Sequence, residues 1–345
     1  MKRTIGSAAV VAVLALALGG APPAQAQVPC AGNPHATPLP TTAWGYGGRI
    51  AFPAEAPSAL VVMMHGYGHT SSSWLGHLKE AAMAGAMAFA LDYTGTYVDD
   101  DGNVRGWFVQ EGADDSIGLA QNVLGSCSTI DTVILLGVSM GGNASGLAAA
   151  AGATRGDGSP LFDYWIAAEP AANVIETYLE ATAAEPTDPF IARAKADIEA
   201  EHGGTIADEP MSYAEGAVVL RTPDIAASGL QGIAVIHGLD DGLVPYDQAV
   251  ELVAGLRANG AVTDFYTVAR REPGGGNADN TSLTRHAIGR IDETYSSPVA
   301  GHATESSSSH IVMRTALDLM LALTGDGDGP SGANYVVDGE EGTIG

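Results

Sequence analysis

The sequence predicts an α/β fold built on a mainly parallel, doubly wound sheet with helices on both faces. From Ala59 onward, short apolar runs alternate with longer stretches of helical spacing, which is typical of such a sheet. The six predicted core strands are ALVVMMHG from Ala59, AMAFALDY from Ala86, TVILLGVS from Thr132, FDYWIAAE from Phe162, GIAVIHG from Gly232 and VTDFYTVA from Val262.

Helices are predicted between these runs, and an antiparallel edge hairpin is predicted before them. The hairpin is assigned to WGYGGRIAF, Trp44 to Phe52. Apolar residues recur at helical spacing in Ser72 to Met83, Asp114 to Val123, Gly142 to Ala150 and Tyr246 to Leu256. These elements form one predicted domain over residues 27–324.

The alternation stops between Ala171 and Gln231. Two amphipathic helical patterns, NVIETYLEATAA and DPFIARAKADIEAEHGG, occupy this stretch. We therefore predict a helical cap insertion at about 171–231, after the sixth strand when the two hairpin strands are counted, and above the sheet. The Gly- and Asp-rich segment 325–345 is predicted to be a flexible acidic tail.

Residues 1–26 have the pattern of a secretory signal peptide. A basic start, MKR, precedes the apolar run Ala8 to Leu18, and AQA at residues 24–26 fits a small-residue cleavage site. The run is too short to cross a bilayer, which takes about 20 apolar residues. We expect a secreted protein, extracellular or periplasmic, with no membrane span.

The chain contains two cysteines, Cys30 and Cys127. In an oxidising compartment they are expected to form one disulfide. It closes a loop of about a hundred residues, worth about 4 to 5 kcal/mol on the chain-entropy model. Two unpaired thiols are the alternative. With so few cysteines, neither a cysteine-based metal site nor thiol catalysis is expected.

The composition is strongly acidic, with a formal net charge of −25. Such a surface repels phosphate backbones and anionic lipid, so nucleic acid and membrane surfaces are disfavoured as partners. The acidity fits either an adaptation to high salt or a general bias of a soluble exported protein, and we favour the second. The sequence does not specify the oligomeric state.

One serine, Ser139, stands between an apolar strand and an Ala/Gly-rich helix in the motif GVSMG. A sharp strand-to-helix turn holds such a serine in strained backbone angles, and small neighbours let the helix and the strand approach each other. A serine hydroxyl is a weak nucleophile, so a base must accept its proton. The pattern predicts that Ser139 is a catalytic nucleophile.

A second motif supplies hydrogen-bond donors for a developing negative charge. The strand that ends at His65 runs into Gly66-Tyr67-Gly68, where the backbone N–H of Tyr67 is expected to join that of Met140 in an oxyanion hole. His65 and His69 have the spacing of metal ligands, but the glycines between them disfavour the necessary helix. We therefore predict no metal, and His65 is assigned a structural role.

The acid is expected in HGLDDGLVP, where a strand ends at His237-Gly238 and Asp240 and Asp241 follow. A carboxylate at a strand end can be buried enough to hold an imidazole by its second nitrogen. Glu169, at the end of an earlier strand, is an alternative acid.

The order HGYG, GVSMGG, HGLDDGLVP resembles the α/β-hydrolase superfamily over about Ala59 to Leu323. Within it, the chain is similar to the secreted esterases and peptidases of the dienelactone hydrolase and prolyl oligopeptidase-like branch. The family pattern H-G-x-x-D-x-x-V-P places the acid on Asp241 and makes Asp240 its neighbour. The resemblance implies a Ser-His-Asp triad that needs no cofactor.

The family order places the base after the acid, which leaves His286, His302 and His310. His286 lies in a stretch that is interpreted as loop or short helix and is set aside. His302 follows a glycine in a loop, and the family base usually lies in such a place, between the last strand and the last helix. His310 instead opens the last helical pattern. We predict His302 as the base and keep His310 as the alternative. The stretch between acid and base is longer than is usual in the family.

The predicted function is hydrolysis of carboxylic esters, either small acyl or aryl esters or an extracellular polyester. Tyr67 and Trp107, near strand ends, are expected to line the substrate site, although most aromatic residues of this kind belong to the core. A peptidase of the prolyl oligopeptidase type is the alternative, and a non-catalytic binding protein of the same fold is a second one. The short segment before the hairpin favours an esterase, since those peptidases usually carry a large N-terminal propeller.

Overall fold

The computed structural model describes residues 27–33, 35–184, 188–239, 241–269, 301–306, 310–325 and 327–337, together with the backbone of 283–287 and 290–295. The predicted signal peptide and Asp240 lie outside the described residues. Within them the strands are β1 (Leu39–Pro40), β2 (Gly48–Ala51), β3 (Ala59–Met64), β4 (Met87–Leu91), β5 (Tyr97–Val98), β6 (Val104–Arg105), β7 (Thr132–Val138), β8 (Tyr164–Ala168), β9 (Gly232–Gly238), β10 (Thr263–Val268), β11 (Leu283–Ala287), β12 (Arg290–Tyr295) and β13 (Asn334–Val337).

Nine of these strands form one sheet, in the spatial order β1-β2-β4-β3-β7-β8-β9-β10-β13. From β4 to β13 all neighbours are parallel, and the two antiparallel pairs, β1 with β2 and β2 with β4, lie at one edge. The edge hairpin begins earlier than predicted, because its first strand is β1 and Trp44 lies in a 3-10 turn closed by Gly45 at φ 88°.

The helices are α1 (Leu75–Met83), α2 (Val109–Ser126), α3 (Met140–Ala150), α4 (Val174–Ala184), α5 (Pro189–His202), α6 (Pro210–Gly216), α7 (Thr222–Ala227), α8 (Tyr246–Ala258) and α9 (Ile311–Thr324). Each segment of helical spacing in the sequence overlaps one of them. None of the helices in the described part of the chain is both long and apolar enough to cross a bilayer.

Both faces of the sheet are buried, which explains why its strands are apolar throughout. Along β3, Leu60 and Val62 face one hydrophobic cluster, and Val61 and Met63 face the other. The first cluster contains residues of α2, α3 and α8, and the second contains residues of α1 and α9. This is the doubly wound arrangement that the sequence predicts.

Cys30 and Cys127 form the expected disulfide, with their Cα atoms 5.3 Å apart. It joins the segment before β1 to the end of α2. The pairing therefore links the first described residues to the helix that covers β3 and β4.

Helices α4 to α7 follow β8, which is the sixth strand of the central sheet along the chain. The buried side chain of Asn143, in α3, connects the segment before α4 and the end of α6 to the body. Its amide donates to the carbonyl of Ala171 at 2.9 Å and to that of Gly216 at 3.1 Å. We call residues 174–227 the cap.

The segment after α9 differs from the predicted flexible tail in the part that the structure describes. Strand β13 pairs in parallel with β10 along four residues. The turn before it is fixed by Asp264, whose Oδ1 accepts the backbone N–H groups of Ser331, Gly332 and Ala333 at 2.7 to 2.9 Å. A Gly-rich composition conceals this strand, because the ordering carboxylate lies far away in the sequence.

His286 lies in β11, which pairs antiparallel with β12. The prediction of loop or short helix for this stretch is therefore wrong. Threonine, isoleucine and tyrosine in the two segments favour extended structure. The side chain of His286 is outside the described residues.

Candidate active site

Ser139 occupies a strained turn between β7 and α3, at the carboxyl edge of the sheet. Its backbone has φ 57° and ψ −124°, which L-residues rarely adopt. The turn depends on close approach: a Cβ placed on Gly137 would lie 2.1 Å from Gly141 O, and one placed on Gly141 would lie 2.1 Å from Met64 O. Ser139 is partly exposed, whereas its neighbours Val138 and Met140 are buried. The serine therefore projects from a fixed position that only small flanking residues permit.

The loop after β3 lies directly against this serine. A Cβ placed on Gly66 would lie 3.2 Å from Ser139 Cβ and 3.2 Å from Glu305 Oε1. Among the described residues, neither the backbone N–H of Tyr67 nor that of Met140 has an acceptor. Met140 also begins α3, where the helix dipole favours negative charge. Two donors next to Ser139 are thus available to a ligand.

Asp241 and His302 form a buried pair. Asp241 Oδ2 lies 2.7 Å from His302 Nδ1, and Oδ1 accepts the backbone N–H groups of Leu243 and Val244 at 2.8 and 2.9 Å. Burial raises the pKa of the Asp241 carboxyl, but attraction to His302 and His237 outweighs burial and holds the pKa well below its usual range. Asp241 is therefore ionised and orients the imidazole of His302.

Glu169 is a second buried carboxylate at the same imidazole. It follows β8 and has φ 43°, and its Oε2 lies 3.4 Å from His302 Nδ1. The carboxylate accepts the backbone N–H groups of Gly238 at 3.2 Å and Ala303 at 2.5 Å. Glu169 thus connects the loop of the acid to the loop of His302, and Asp241 is the nearer carboxylate. One carboxylate oxygen each of Glu169 and Asp241 and one ring nitrogen of His302 lie within 4.8 Å of one another.

No protein-family model matches the sequence, and no curated protein matches it. Solved structures share its architecture. The crystal structure of a puromycin hydrolase matches with a TM-score of 0.54 at 14% identity, over 85% of this chain and 40% of that one. A puromycin-hydrolyzing peptidase from Mycobacterium tuberculosis matches with a TM-score of 0.51 at 15% identity, over 84% of this chain and 39% of that one. The chain has the α/β-hydrolase fold.

The α/β-hydrolase fold confirms the predicted fold class, and identities this low show the fold alone. The chain spans about two-fifths of the length of both matched structures, 40% and 39%. The strand-end positions of Ser139, Glu169 and Asp241 follow from the fold, because the carboxyl ends of parallel strands meet at one edge of the sheet.

His310, the alternative base, lies at the residue before α9 of the α/β-hydrolase domain. Its Nε2 is 3.2 Å from Gly301 O, and the pair spans the loop that carries His302. Burial, partly offset by that hydrogen bond, lowers the pKa of His310 to about 4. His310 therefore stays neutral near pH 7 and holds the loop. The structure brings His302, not His310, to Asp241.

Glu305 is a site residue that sequence reasoning missed. It is buried, its Oε1 accepts the backbone N–H of Gly66, and its Oε2 lies 3.1 Å from His69 Nδ1. Its backbone carbonyl is 2.9 Å from His77 Nε2. Glu305 thereby joins the His302 loop to the loop beside Ser139. A lone acid in a Ser-rich loop carries no motif, so the sequence gives no signal for this contact.

Of the two predicted substrate-binding aromatics, Tyr67 contacts the cap and Trp107 contacts Tyr67. The Tyr67 ring lies 5.9 Å from the Trp107 ring and 5.5 Å from that of Phe190, which belongs to α5. Both Tyr67 and Trp107 are buried in this arrangement. His65 has the structural surroundings expected of it: its ring stacks on Tyr93 with centroids 4.1 Å apart, and burial lowers its pKa.

Proposed function

We propose that this protein is a serine hydrolase that cleaves carboxylic esters with Ser139, His302 and Asp241. The observation that carries the proposal is the strained Ser139 turn at the same sheet edge as the buried Asp241 and His302 pair. The position of Gly66 supports their proximity, because Gly66 lies against both Ser139 and Glu305. Glu305 is three residues after His302 in the sequence. Nucleophile, base and orienting acid are the parts that this chemistry needs.

In the proposed reaction, His302 accepts the hydroxyl proton as Ser139 Oγ bonds to the acyl carbon. The N–H groups of Tyr67 and Met140 stabilise the oxyanion, and Asp241 stabilises the imidazolium. The intermediate collapses, the alkoxide leaves with the proton from His302, and an acyl-enzyme remains. Water then attacks the acyl carbon while His302 accepts its proton. His302 passes that proton to Ser139 Oγ as the bond between Oγ and the acyl carbon breaks, and the carboxylic acid is released. The residues invoked need no metal or cofactor for these steps.

A peptidase is the second candidate, favoured by the matched structures, one of which is described as a puromycin-hydrolyzing peptidase. The same triad cleaves amides and esters, so substrate preference depends on the surroundings of Ser139. A non-catalytic protein of this fold is a third candidate. Export is part of the proposal, since the disulfide fits an oxidising compartment.

The test is turnover of p-nitrophenyl esters of short and long acids, alongside aminoacyl p-nitroanilides, by the full chain. Ser139→Ala and His302→Ala are expected to reduce ester kcat by at least about a thousandfold with unchanged circular dichroism. His310→Gln, a nearby buried histidine outside the triad, is the matched control for His302→Ala. Faster cleavage of anilides than of esters would favour the peptidase, and turnover independent of Ser139 would reject the proposal.

A further inference from the structure

The carboxylate of Asp197, in α5, reaches from the cap into the body. It is buried and accepts four hydrogen bonds: Tyr67 Oη at 2.7 Å, Arg105 Nε at 2.9 Å, Arg105 Nη2 at 2.7 Å and the backbone N–H of Gly106 at 2.9 Å. All four donors belong to the body. Asp197 therefore docks the cap on two body segments, the loop after β3 and the end of β6.

The backbone of the second segment is shaped for this contact. Gly106 has φ 115°, and a Cβ placed on it would lie 2.2 Å from Phe108 Cε2. Only glycine fits there, and its N–H points to Asp197. The two bonds from Arg105 have the forked geometry that guanidinium and carboxylate groups favour, which compensates the buried negative charge.

The first segment is the one that supplies the proposed oxyanion donor. The Tyr67 hydroxyl donates to Asp197, while the Tyr67 backbone N–H has no acceptor in the described part of the chain. Burial and the bond to Asp197 raise the pKa of Tyr67 far above its usual range, so the hydroxyl remains a donor. Phe190, also in α5, packs edge-on against the same ring. The cap thus contacts the side chain of Tyr67 at both its polar and apolar parts.

We propose that Asp197 is a positioning residue that fixes the Tyr67 backbone N–H for the oxyanion through the Tyr67 side chain, so that cap docking and formation of the oxyanion hole are coupled. The inference rests on the proposed function. It adds that a residue on the inserted helices, outside the strand ends, controls stabilisation of the transition state. A displacement of an oxyanion donor by about 1 Å is enough to slow an enzyme about a hundredfold.

The chain offers a matched control within the same helix. Glu199 accepts the Tyr178 hydroxyl at 2.7 Å, the same distance as in the pair of Asp197 with Tyr67. Tyr178 belongs to α4, so this second pair lies wholly inside the cap. Breaking it perturbs the cap without touching the oxyanion loop.

The experiment measures kcat and KM for a p-nitrophenyl ester with Asp197→Asn, Tyr67→Phe, the double variant, Glu199→Gln and Tyr178→Phe. Asp197→Asn and Tyr67→Phe are each expected to lower kcat about ten- to a hundredfold with KM changed less than about threefold. The double variant is expected to match the worse single one, because both remove one contact. Glu199→Gln and Tyr178→Phe are expected to keep kcat within about twofold.

Unchanged kcat in Asp197→Asn, or single effects that multiply in the double variant, would overturn the inference. Tyr67→Phe keeps the Asp197 carboxylate with Arg105, so it tests the contact even if Asp197→Asn folds poorly. Failure of the proposed function looks different: the parent chain would then show no Ser139-dependent turnover in the same assay.

Discussion

The strand ends and the cap hold their carboxylates differently. At the strand ends, Asp241 and Glu169 accept hydrogen bonds from backbone groups of neighbouring strand-end loops and lie beside His302. In the cap, Asp197 and Glu201, one helical turn apart in α5, accept from the body segment at 105–110. The first set orders the strand-end loops around His302, whereas the second joins the cap to the body.

This difference determines how each region responds to substitution. Backbone donors cannot be removed by a side-chain substitution, so the positions of Asp241 and Glu169 are set by the path of the chain at the strand ends. The cap depends on a few polar side chains whose contacts break one at a time. We therefore expect substitutions at the strand ends to affect chemistry directly. Substitutions or pH changes in the cap are expected to affect its docking and, through Tyr67, the oxyanion donor.

The largest expected effect separates the two strand-end carboxylates. Asp241→Asn is expected to lower kcat/KM about 10⁴-fold, because it removes the charge 2.7 Å from His302 Nδ1. Glu169→Gln, at 3.4 Å, is expected to cost about tenfold. Steady-state kinetics on one p-nitrophenyl ester compares them. If Glu169→Gln is the more damaging variant, Glu169 is the acid of the triad.

Removal of the disulfide is expected to lower the stability of the body. Its half-cystines are 97 residues apart, so Cys30→Ser combined with Cys127→Ser is expected to lower the free energy of unfolding by about 4 to 5 kcal/mol. Urea unfolding followed by tryptophan fluorescence measures the change. Since the bond lies in the body, kcat below the unfolding transition is expected to stay within about twofold. A large loss of kcat in the folded variant would mean that the disulfide also sets the geometry of the strand-end residues.

Cap docking is expected to depend on pH through Glu201. Burial, and repulsion from Glu111, raise its pKa from 4.5 to about 7. Because the folded-state pKa is the higher one, the stabilising contribution is fully present below about pH 4.5 and is lost as the pH rises through about 7. Hydrogen exchange of the α5 peptide, corrected for its intrinsic rate, is therefore expected to speed up between about pH 5.5 and about pH 8.

Glu201→Gln serves as the control for this prediction, since it cannot titrate. Its α5 exchange is expected to be independent of pH over the same range. An equal pH response in this variant would assign the effect to another group.

The smallest expected effect concerns the start of α5. The Asp188 side chain accepts the backbone N–H groups of Phe190 and Ile191 at 2.7 and 3.2 Å. Asp188→Ala is expected to destabilise the cap by about 1 kcal/mol, and Asp188→Asn by only a few tenths, because asparagine keeps the capping oxygen. Thermal unfolding compares the two variants. Equal losses of stability in the two variants would show that the charge of Asp188, and not its hydrogen bonds to the first turn of the helix, stabilises the start of α5.

Much of the fold was accessible from the sequence because parallel strands covered on both faces leave continuous apolar runs. β7 and β9 are examples, and each is followed by a helix at the expected place. The edge strand β13 was not accessible, since its order comes from Asp264, about seventy residues earlier, and not from its own composition.

Some residues of the candidate site could likewise be predicted from the sequence, and others could not. Ser139 is predictable because its turn demands small residues at fixed positions, and these form a motif. Glu305 and Asp197 act through contacts between segments distant in the sequence, with separations of 239 residues to Gly66 and 130 residues to Tyr67. A single acidic residue carries no local pattern, so contacts of this kind appear only when the chain is folded.

The most direct test of the central claim is covalent labelling with an alkyl fluorophosphonate, followed by peptide mass mapping. The account predicts one phosphonyl group, on the peptide that contains Ser139, and labelling at least about a hundredfold slower in His302→Ala, since the hydroxyl then lacks its base. An adduct at another residue, no adduct at all, or equal labelling rates in the parent and His302→Ala would contradict it.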